Sequence, residues 1–281
     1  MTKKILITGA NGQLGHEMRN ALKGNNRFEC IFTDVAELDI CNAEAVKQII
    51  ADNHIDYIVN CAAYTQVDKA EDNAELCKKI NTDAVENLAR AAADYGARMI
   101  HISTDYVFNG RGYRPYTEDM VPDPQSVYGS TKLEGEKILT DICPESIIIR
   151  TAWLYSPYGN NFVKTMLHLG EEREELSVVA DQIGTPTCAA DLAQAILVIL
   201  QADTFVPGTY HFSDEGVCSW YDFTVTIHRL AGITTCRVTP IRSDEYPSKA
   251  HRPFYSVLDK SKIKKTYSCL LYTSPSPRDC S

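Results

Sequence analysis

The chain has 281 residues, with 28 Lys and Arg against 37 Asp and Glu, a formal net charge of −9 and 44% hydrophobic residues. That length is enough for one large domain or two unequal ones. The acidic balance argues against nucleic acid or an anionic membrane as partner, because both reward clustered Lys and Arg. It leaves room for a small anionic substrate held by a few local cations.

No apolar run approaches the roughly 18 residues of a membrane-spanning helix. The stretch Ile5-Leu6-Ile7 breaks at Thr8-Gly9, too soon for a signal peptide. The 10 cysteines are scattered without a C-x-x-C pair, and the 7 histidines form no cluster. Reduced thiols in a cytoplasmic protein are expected, with no metal site.

In chain order, Lys4 to Thr8 reads as a strand entering a glycine-rich turn, followed by a helix through Leu22. Phe28 to Thr33 is a second strand ending at Asp34, Ala43 to Asn53 a helix, and Tyr57 to Asn60 a third strand. Ala74 to Tyr95 reads as one long helix, Met99 to Ser103 as a strand, Gln125 to Thr140 as a helix and Ser146 to Arg150 as a strand. Strands apolar on both faces, alternating with helices, indicate an α/β fold of the Rossmann type, a doubly wound parallel sheet covered on both sides. After Thr151 the elements shorten: a helix at Asn161 to Glu171, an extended run at Leu176 to Ala180, a helix at Asp191 to Gln201, a strand at Gly208 to Phe212 and a helix near Trp220 to Leu230. The expected organisation is a dinucleotide-binding domain over residues 1–154 and a smaller α/β substrate lobe, mainly residues 155–268. The helix near 190–201 is expected to pack back on the first domain. The tail from Cys269 to Ser281 has no regular period and two Ser-Pro pairs. Up to Asp279 it reads as the in-frame translation of a transposase-type library adapter, and it is excluded from the fold.

Gly9, Gly12 and Gly15 follow a strand and open a helix, the context in which a glycine fingerprint carries meaning. The glycines allow a tight turn, close approach of a pyrophosphate and tight helix–strand packing. The helix N-terminus adds unpaired N–H groups. Asn11, Gln13 and Leu14 lie within this loop. Asp34, at the end of the second strand, is placed to accept from an adenosine ribose, and no Arg stands beside it for a 2′-phosphate. Asp39 and Ile40 are candidates for the adenine pocket, and Ala62, Ala63 and Thr65 for a backbone passing close to the cofactor. An NADH or dual-use site is expected. For Asp34 a surface or capping role is the alternative, and for the small residues tight packing alone.

Tyr128 and Lys132 stand at i and i+4, one helical turn apart on one face. A cation near a phenol favours phenolate and pulls its pKa toward neutrality. Such a Tyr can pass a proton to an alkoxide forming as hydride reaches a carbonyl. Lys132 is also placed to hold a nicotinamide ribose. Thr104, ending a central strand, offers a hydroxyl to orient the reacting carbonyl oxygen. Arg252, in a late loop, is a candidate clamp for a phosphate. Asn161 and Gln182 are candidates to reach the nucleotide, with capping or exposed roles as the alternative. Trp153 reads either as core packing or as a flat platform for a sugar.

Thr8-Gly9-x-x-Gly12-x-x-Gly15, Asn60-Cys61-Ala62-Ala63, Thr104 and Tyr128-x-x-x-Lys132 together resemble an extended short-chain dehydrogenase/reductase. Several segments narrow the resemblance to the dTDP-4-dehydrorhamnose reductase family. They are Ala62-Ala63-Tyr64-Thr65-Gln66-Val67-Asp68-Lys69-Ala70-Glu71, Ser103-Thr104-Asp105-Tyr106-Val107-Phe108, Arg150-Thr151-Ala152-Trp153-Leu154-Tyr155 and Asp181-Gln182-x-Gly184-x-Pro186-Thr187. The resemblance implies reduction of a dTDP-linked keto sugar by NADPH or NADH in a cytoplasmic monomer or homodimer. Thr104, Tyr128 and Lys132 would be its triad, with Asp105, Tyr106 and Trp153 on the sugar. A 4,6-dehydratase usually carries Asp-Glu after the Thr, where this chain has Asp105-Tyr106. Two alternatives stay open: reduction of another nucleotide-linked 4-keto sugar, and a non-catalytic subunit resembling the regulatory subunit of methionine adenosyltransferase.

Overall fold

The computed structural model describes residues 2–268. The segment Cys269–Ser281, expected from its sequence to be foreign, lies outside the described residues. The chain begins β1 (Lys3–Thr8), α1 (Gln13–Leu22), β2 (Phe28–Thr33), α2 (Ala43–Asn53), β3 (Tyr57–Asn60), α3 (Val67–Asp72) and α4 (Ala74–Lys78). A π-helical turn (Lys79–Asp83) leads into α5 (Ala84–Tyr95), then β4 (Arg98–Thr104), a 3-10 turn (Asp105–Val107), α6 (Val127–Ile142) and β5 (Ile147–Thr151). There follow β6 (Leu154–Tyr155), α7 (Phe162–Glu172), β7 (Glu175–Val179), β8 (Ile183–Gly184), β9 (Thr187–Cys188), α8 (Ala189–Gln201) and β10 (Gly208–His211). The last elements are β11 (Cys218–Ser219), α9 (Trp220–Ala231), β12 (Arg237–Ile241) and α10 (Ser261–Tyr267).

Six strands form one parallel sheet in the order β10-β5-β4-β3-β1-β2. Its two faces explain why the strands lack polar alternation. Ile5 and Ile7 enter a core with α1 and α8, while Leu6 enters the opposite core with α2 and α5, and all three are fully buried. Burial of one such side chain stabilises the fold by about 1.5–3 kcal/mol. From β1 the chain winds to one edge and then returns to place β3 on its other side. The carboxyl ends of β1 and β3 therefore diverge into the crevice where open α/β sheets bind ligands.

Three features depart from the sequence reading. The long helix expected over residues 74–95 runs its length but widens into a π-turn at Lys79–Asp83. There Asn81 faces inward, its Oδ1 accepting from Tyr64 N (2.8 Å) and its Nδ2 donating to Tyr64 O (3.1 Å), while Thr82 Oγ1 donates to Thr131 O at 2.9 Å. The π-turn thus fastens the loop after β3 to α6. Second, Gly208–His211, expected in the smaller lobe, completes the main sheet beside β5; α8, expected to return to the first domain, packs on α1 and is no departure. Third, β12 pairs with β7 although it contains Pro240, which a two-stranded ribbon tolerates because only one side of the strand must donate. Around that ribbon α7 and α9 close a separate small core with Met166, Leu176 and Ile227.

Candidate active site

The glycine turn sits in the crevice between β1 and β3. Gly9 adopts φ +65°, and a Cβ there would lie 2.6 Å from Ala62 N. A Cβ on Gly15 would lie 2.3 Å from Gly9 O, so the helix start presses directly on the turn. Gly12, whose Cβ would meet only Gly9 O at 3.3 Å, leaves its outer side open. Asp34 closes the loop from β2, with Oδ2 accepting from Asn11 N (2.9 Å) and Oδ1 from Val35 N (2.8 Å). Asp39 is exposed and accepts from Cys41 N at 2.9 Å, while Ile40 is buried.

A cavity of about 580 Å³ runs along this loop, lined by Gly9, Gly12, Asp34, Ile40, Ala62 and Ala63 among others. Its glycine floor and carboxylate rim suit the pyrophosphate and adenosine part of a dinucleotide. Gln13 and Leu14 begin α1. The Leu14 side chain is buried in the core, which leaves its backbone N–H for the crevice. Thr65 is exposed and is not among the residues lining this cavity.

Tyr128, Lys132 and Thr104 meet at the carboxyl end of β4. Ser126 caps α6 by accepting from Gly129 N at 3.1 Å, which fixes the first turn that carries Tyr128. Thr104 Oγ1 donates to Asp105 Oδ1 (3.0 Å) and accepts from Tyr106 N (3.2 Å). Tyr106 packs edge-on to Tyr128, with ring centroids 5.4 Å apart.

The expectation that Lys132 pulls the Tyr128 phenol toward neutrality is corrected here. Burial drives that phenol well above its usual range, and the Thr104 hydroxyl only partly opposes it. Lys132 instead donates to Ile102 O at 2.6 Å and stands 3.2 Å from His101 Nε2. Burial lowers the Lys132 amine to about 8 against the opposing effects of Glu136 and Cys77. A phenol that keeps its proton suits an acid waiting to protonate an oxyanion.

On the side facing the small lobe, burial lifts Asp105 to about 7 against the Thr104 and Ser256 hydroxyls, and its Oδ2 makes no hydrogen bond of full geometry among the described residues. Such an orphaned buried oxygen suits a ligand hydroxyl. Arg252 Nη1 donates to Tyr106 Oη at 3.2 Å, and its Nη2 bonds Asp68 Oδ2, so the loop around residue 252 is tied to α3 across the site. Trp153 holds φ +48°, a strained value for a bulky residue. Its ring stacks on Trp220 at 3.4 Å with planes 10° apart, and Gly184 lies so close that a Cβ would come within 2.6 Å of it.

Not every candidate has free polar atoms. Asn161 caps α7 through Lys164 N (3.1 Å) and donates to Ser156 O (2.7 Å) and Gln13 Oε1 (3.0 Å), joining the small lobe to the start of α1. Gln182 is buried, its Nε2 donating to Ser243 Oγ at 3.0 Å. Sequence reasoning overlooked His101, Asp68 and Trp220. Asp68 stood inside a quoted motif, whereas isolated residues within a strand or at a helix start carried no signal.

The family model described as RmlD substrate binding domain matches residues 3–273. A dTDP-4-dehydrorhamnose reductase from Aggregatibacter actinomycetemcomitans is 42% identical, covering 94% of this chain and 93% of that protein. A crystal structure of a dTDP-4-dehydrorhamnose reductase from Clostridium acetobutylicum superposes with a TM-score of 0.90 at 50% identity, over 94% of this chain and 92% of that one. One from Bacillus anthracis, solved in complex with NADP, superposes with a TM-score of 0.93 at 40% identity, over 98% and 96% of the two chains.

Proposed function

The chain belongs to the dTDP-4-dehydrorhamnose reductase family, and from that premise we propose that it reduces the C4 keto group of dTDP-4-dehydro-L-rhamnose to give dTDP-L-rhamnose. The observation that carries this reading is a buried Tyr128 phenol that keeps its proton, hydrogen-bonded to Thr104 at the carboxyl end of β4, in the same sheet whose β1 enters the glycine turn. The nicotinamide cofactor supplies the hydride. Gly9, Gly12 and Gly15 would let the chain wrap closely around the pyrophosphate, and Asp34 would accept from the adenosine ribose. Its carboxylate favours a free 2′-hydroxyl, while the relative from Bacillus anthracis was solved with NADP, so both NADH and NADPH fit the reading.

Thr104 orients the keto oxygen and Tyr128 passes its proton to that oxygen as the carbonyl carbon is reduced. Asp105 Oδ2 receives a sugar hydroxyl, Trp153 offers its flat face, and Arg252 neutralises the diphosphate. Lys132, one helical turn beyond Tyr128, would hold the nicotinamide ribose. The position after Thr104 and Asp105 is Tyr106, which has no acid to eliminate water, so reduction is favoured over dehydration. Residues 1–154, joined by α8 and β10, hold the cofactor, and the ribbon of β7 and β12 with α7 and α9 closes over the sugar nucleotide. Both ligands are small anions, which fits a cytoplasmic monomer or homodimer without nucleic-acid or membrane partners.

The test supplies purified protein with enzymatically generated dTDP-4-dehydro-L-rhamnose and follows NAD(P)H absorbance. Substrate-dependent oxidation is expected. A folded protein that oxidises neither cofactor would overturn the proposal.

A further inference from the structure

Trp153 follows β5 with φ +48°, a backbone that a bulky residue adopts only where its surroundings hold it. Thr187 N donates to Trp153 O at 3.1 Å, and Thr187 Oγ1 donates to Ala152 O at 2.6 Å, which fixes the main chain around it. The side chain itself is half-buried and receives its support from elsewhere in the fold.

That support comes from β8 and β11, a short antiparallel pair in which Cys218 faces Gly184 and Ser219 faces Ile183. Gly184 supplies the room, since a Cβ there would come within 2.6 and 2.7 Å of two ring atoms of Trp153 and 2.7 Å of Ser256 Oγ. β11 runs directly into α9, whose first residue is Trp220. Ser219 caps that helix, its Oγ accepting from Asp222 N and its N–H donating to Asp222 Oδ2, both at 3.0 Å, so the turn carrying Trp220 is fixed. Trp220 lies against Trp153 with ring centroids 3.4 Å apart and planes 10° apart, and it meets Phe162 at 4.4 Å. β8 also holds the late loop: Ile183 N donates to Phe254 O at 2.7 Å, and Ser256 N donates to Ile183 O at 2.8 Å. The Ser256 hydroxyl in turn faces Asp105. One pair of short strands thus reaches both candidate sugar contacts, Asp105 and Trp153.

We propose that Trp220 is a positioning residue for the sugar nucleotide, its stack holding the Trp153 ring in the orientation in which the sugar meets it, in the space that Gly184 leaves. The gain is preorganisation. An unsupported indole samples several rotamers and loses them on binding, whereas a stacked one has lost them already. Trp220 acts through Trp153 and leaves Thr104 and Tyr128 in place, so its removal weakens sugar-nucleotide binding more than it slows turnover. The inference rests on the reductase reading with Trp153 as a sugar contact, and it adds the residue of α9 through which the small lobe sets that contact.

The chain has two tryptophans, and they are this pair, so NMR of the free full-length protein with labelled indoles shows each ring separately. Inter-ring contacts and upfield-shifted Trp153 ring protons are expected in the wild type, absent in Trp220→Leu and partly recovered in Trp220→Phe. On the same proteins, KM for enzymatically generated dTDP-4-dehydro-L-rhamnose should rise about tenfold in Trp220→Leu, the order one aromatic contact is worth. There kcat should change less than about threefold and NADPH affinity should hold, while Trp220→Phe should return KM to within about threefold of wild type. Gly184→Ala drives the Trp153 ring from its place without touching Trp220 and should raise KM likewise, which decides the matter if Trp220→Leu does not fold. Unstacked indoles in the wild type would overturn the inference, as would equal losses in Trp220→Leu and Trp220→Phe. A wild type that oxidises neither cofactor would fell the reductase reading and this inference together, whereas an active wild type whose folded variants keep its KM would fell this inference alone.

Discussion

Replacing Glu136 by Gln is expected to cost about 3–5 kcal/mol of folding stability, a large effect for the loss of one charge. Arg150 Nε donates to Glu136 at 3.0 and 3.2 Å, and Nη2 donates to Oε2 at 2.7 Å, with both side chains 5% exposed. The guanidinium also lies 5.2 Å above the Phe108 ring and 3.5 Å from His211 Nε2, so no water can replace the carboxylate. The variant would strand a buried cation, whereas a surface pair of the same geometry would lose at most about 1 kcal/mol. Urea unfolding followed by far-UV circular dichroism measures the difference. With a slope of roughly 3 kcal/mol per molar, the midpoint should fall by about 1–1.7 M. Removing both charges, as Glu136→Leu with Arg150→Met, should recover most of the loss, because the penalty lies in the unpaired charge rather than in the absent bond. A single-variant loss under about 1 kcal/mol, or a double variant as unstable as the two singles added together, would refute the reasoning.

Gly15→Ala places a methyl 2.3 Å from Gly9 O and 2.5 Å from Ala10 Cα, both backbone atoms that cannot step aside cheaply. NADPH binding, read by cofactor fluorescence, should weaken at least about tenfold, equivalent to about 1.4 kcal/mol; unchanged binding would show that the turn does not cradle the dinucleotide. His211 donates from Nδ1 to Tyr116 O at 2.9 Å and turns Nε2 toward Arg150, and burial together with that guanidinium lowers it from 6.5 to about 3. Because the folded value lies below the unfolded one, the stability from its neutral ring is present above pH 6.5 and lost as pH falls toward 3. The advantage of wild type over His211→Asn should therefore shrink by up to about 1.4 kcal/mol per pH unit in that window. A pH-independent difference would contradict the burial of a neutral ring.

What could be read from the sequence followed the physics that is local in it. The strands at residues 28–33 and 57–60 and the helix at 43–53 were legible because their apolar runs end in clear turn residues. The π-turn at Lys79–Asp83 was not, since it depends on Asn81 reaching Tyr64 and Thr82 reaching Thr131, partners separated by 17 and 49 positions. Membership of β10 in the main sheet was hidden for the same reason, as nothing within Gly208–His211 names β5 as its neighbour. In the site, the glycines, Tyr128 and Lys132 were legible because their spacing encodes one turn or one helix face. The environment of Lys132 was not, because His101 reaches it from β4, and burial rather than spacing sets the protonation of Tyr128.

The most direct test of the proposed chemistry is single-turnover reduction of dTDP-4-dehydro-L-rhamnose by Tyr128→Phe beside the wild type, with NADPH affinity measured on the same samples. The phenyl ring keeps the shape of the site and removes the hydroxyl that carries the proton. The rate should fall by about 10²–10⁴-fold, with cofactor affinity unchanged. A variant that turns over within tenfold of wild type would contradict Tyr128 as the proton donor.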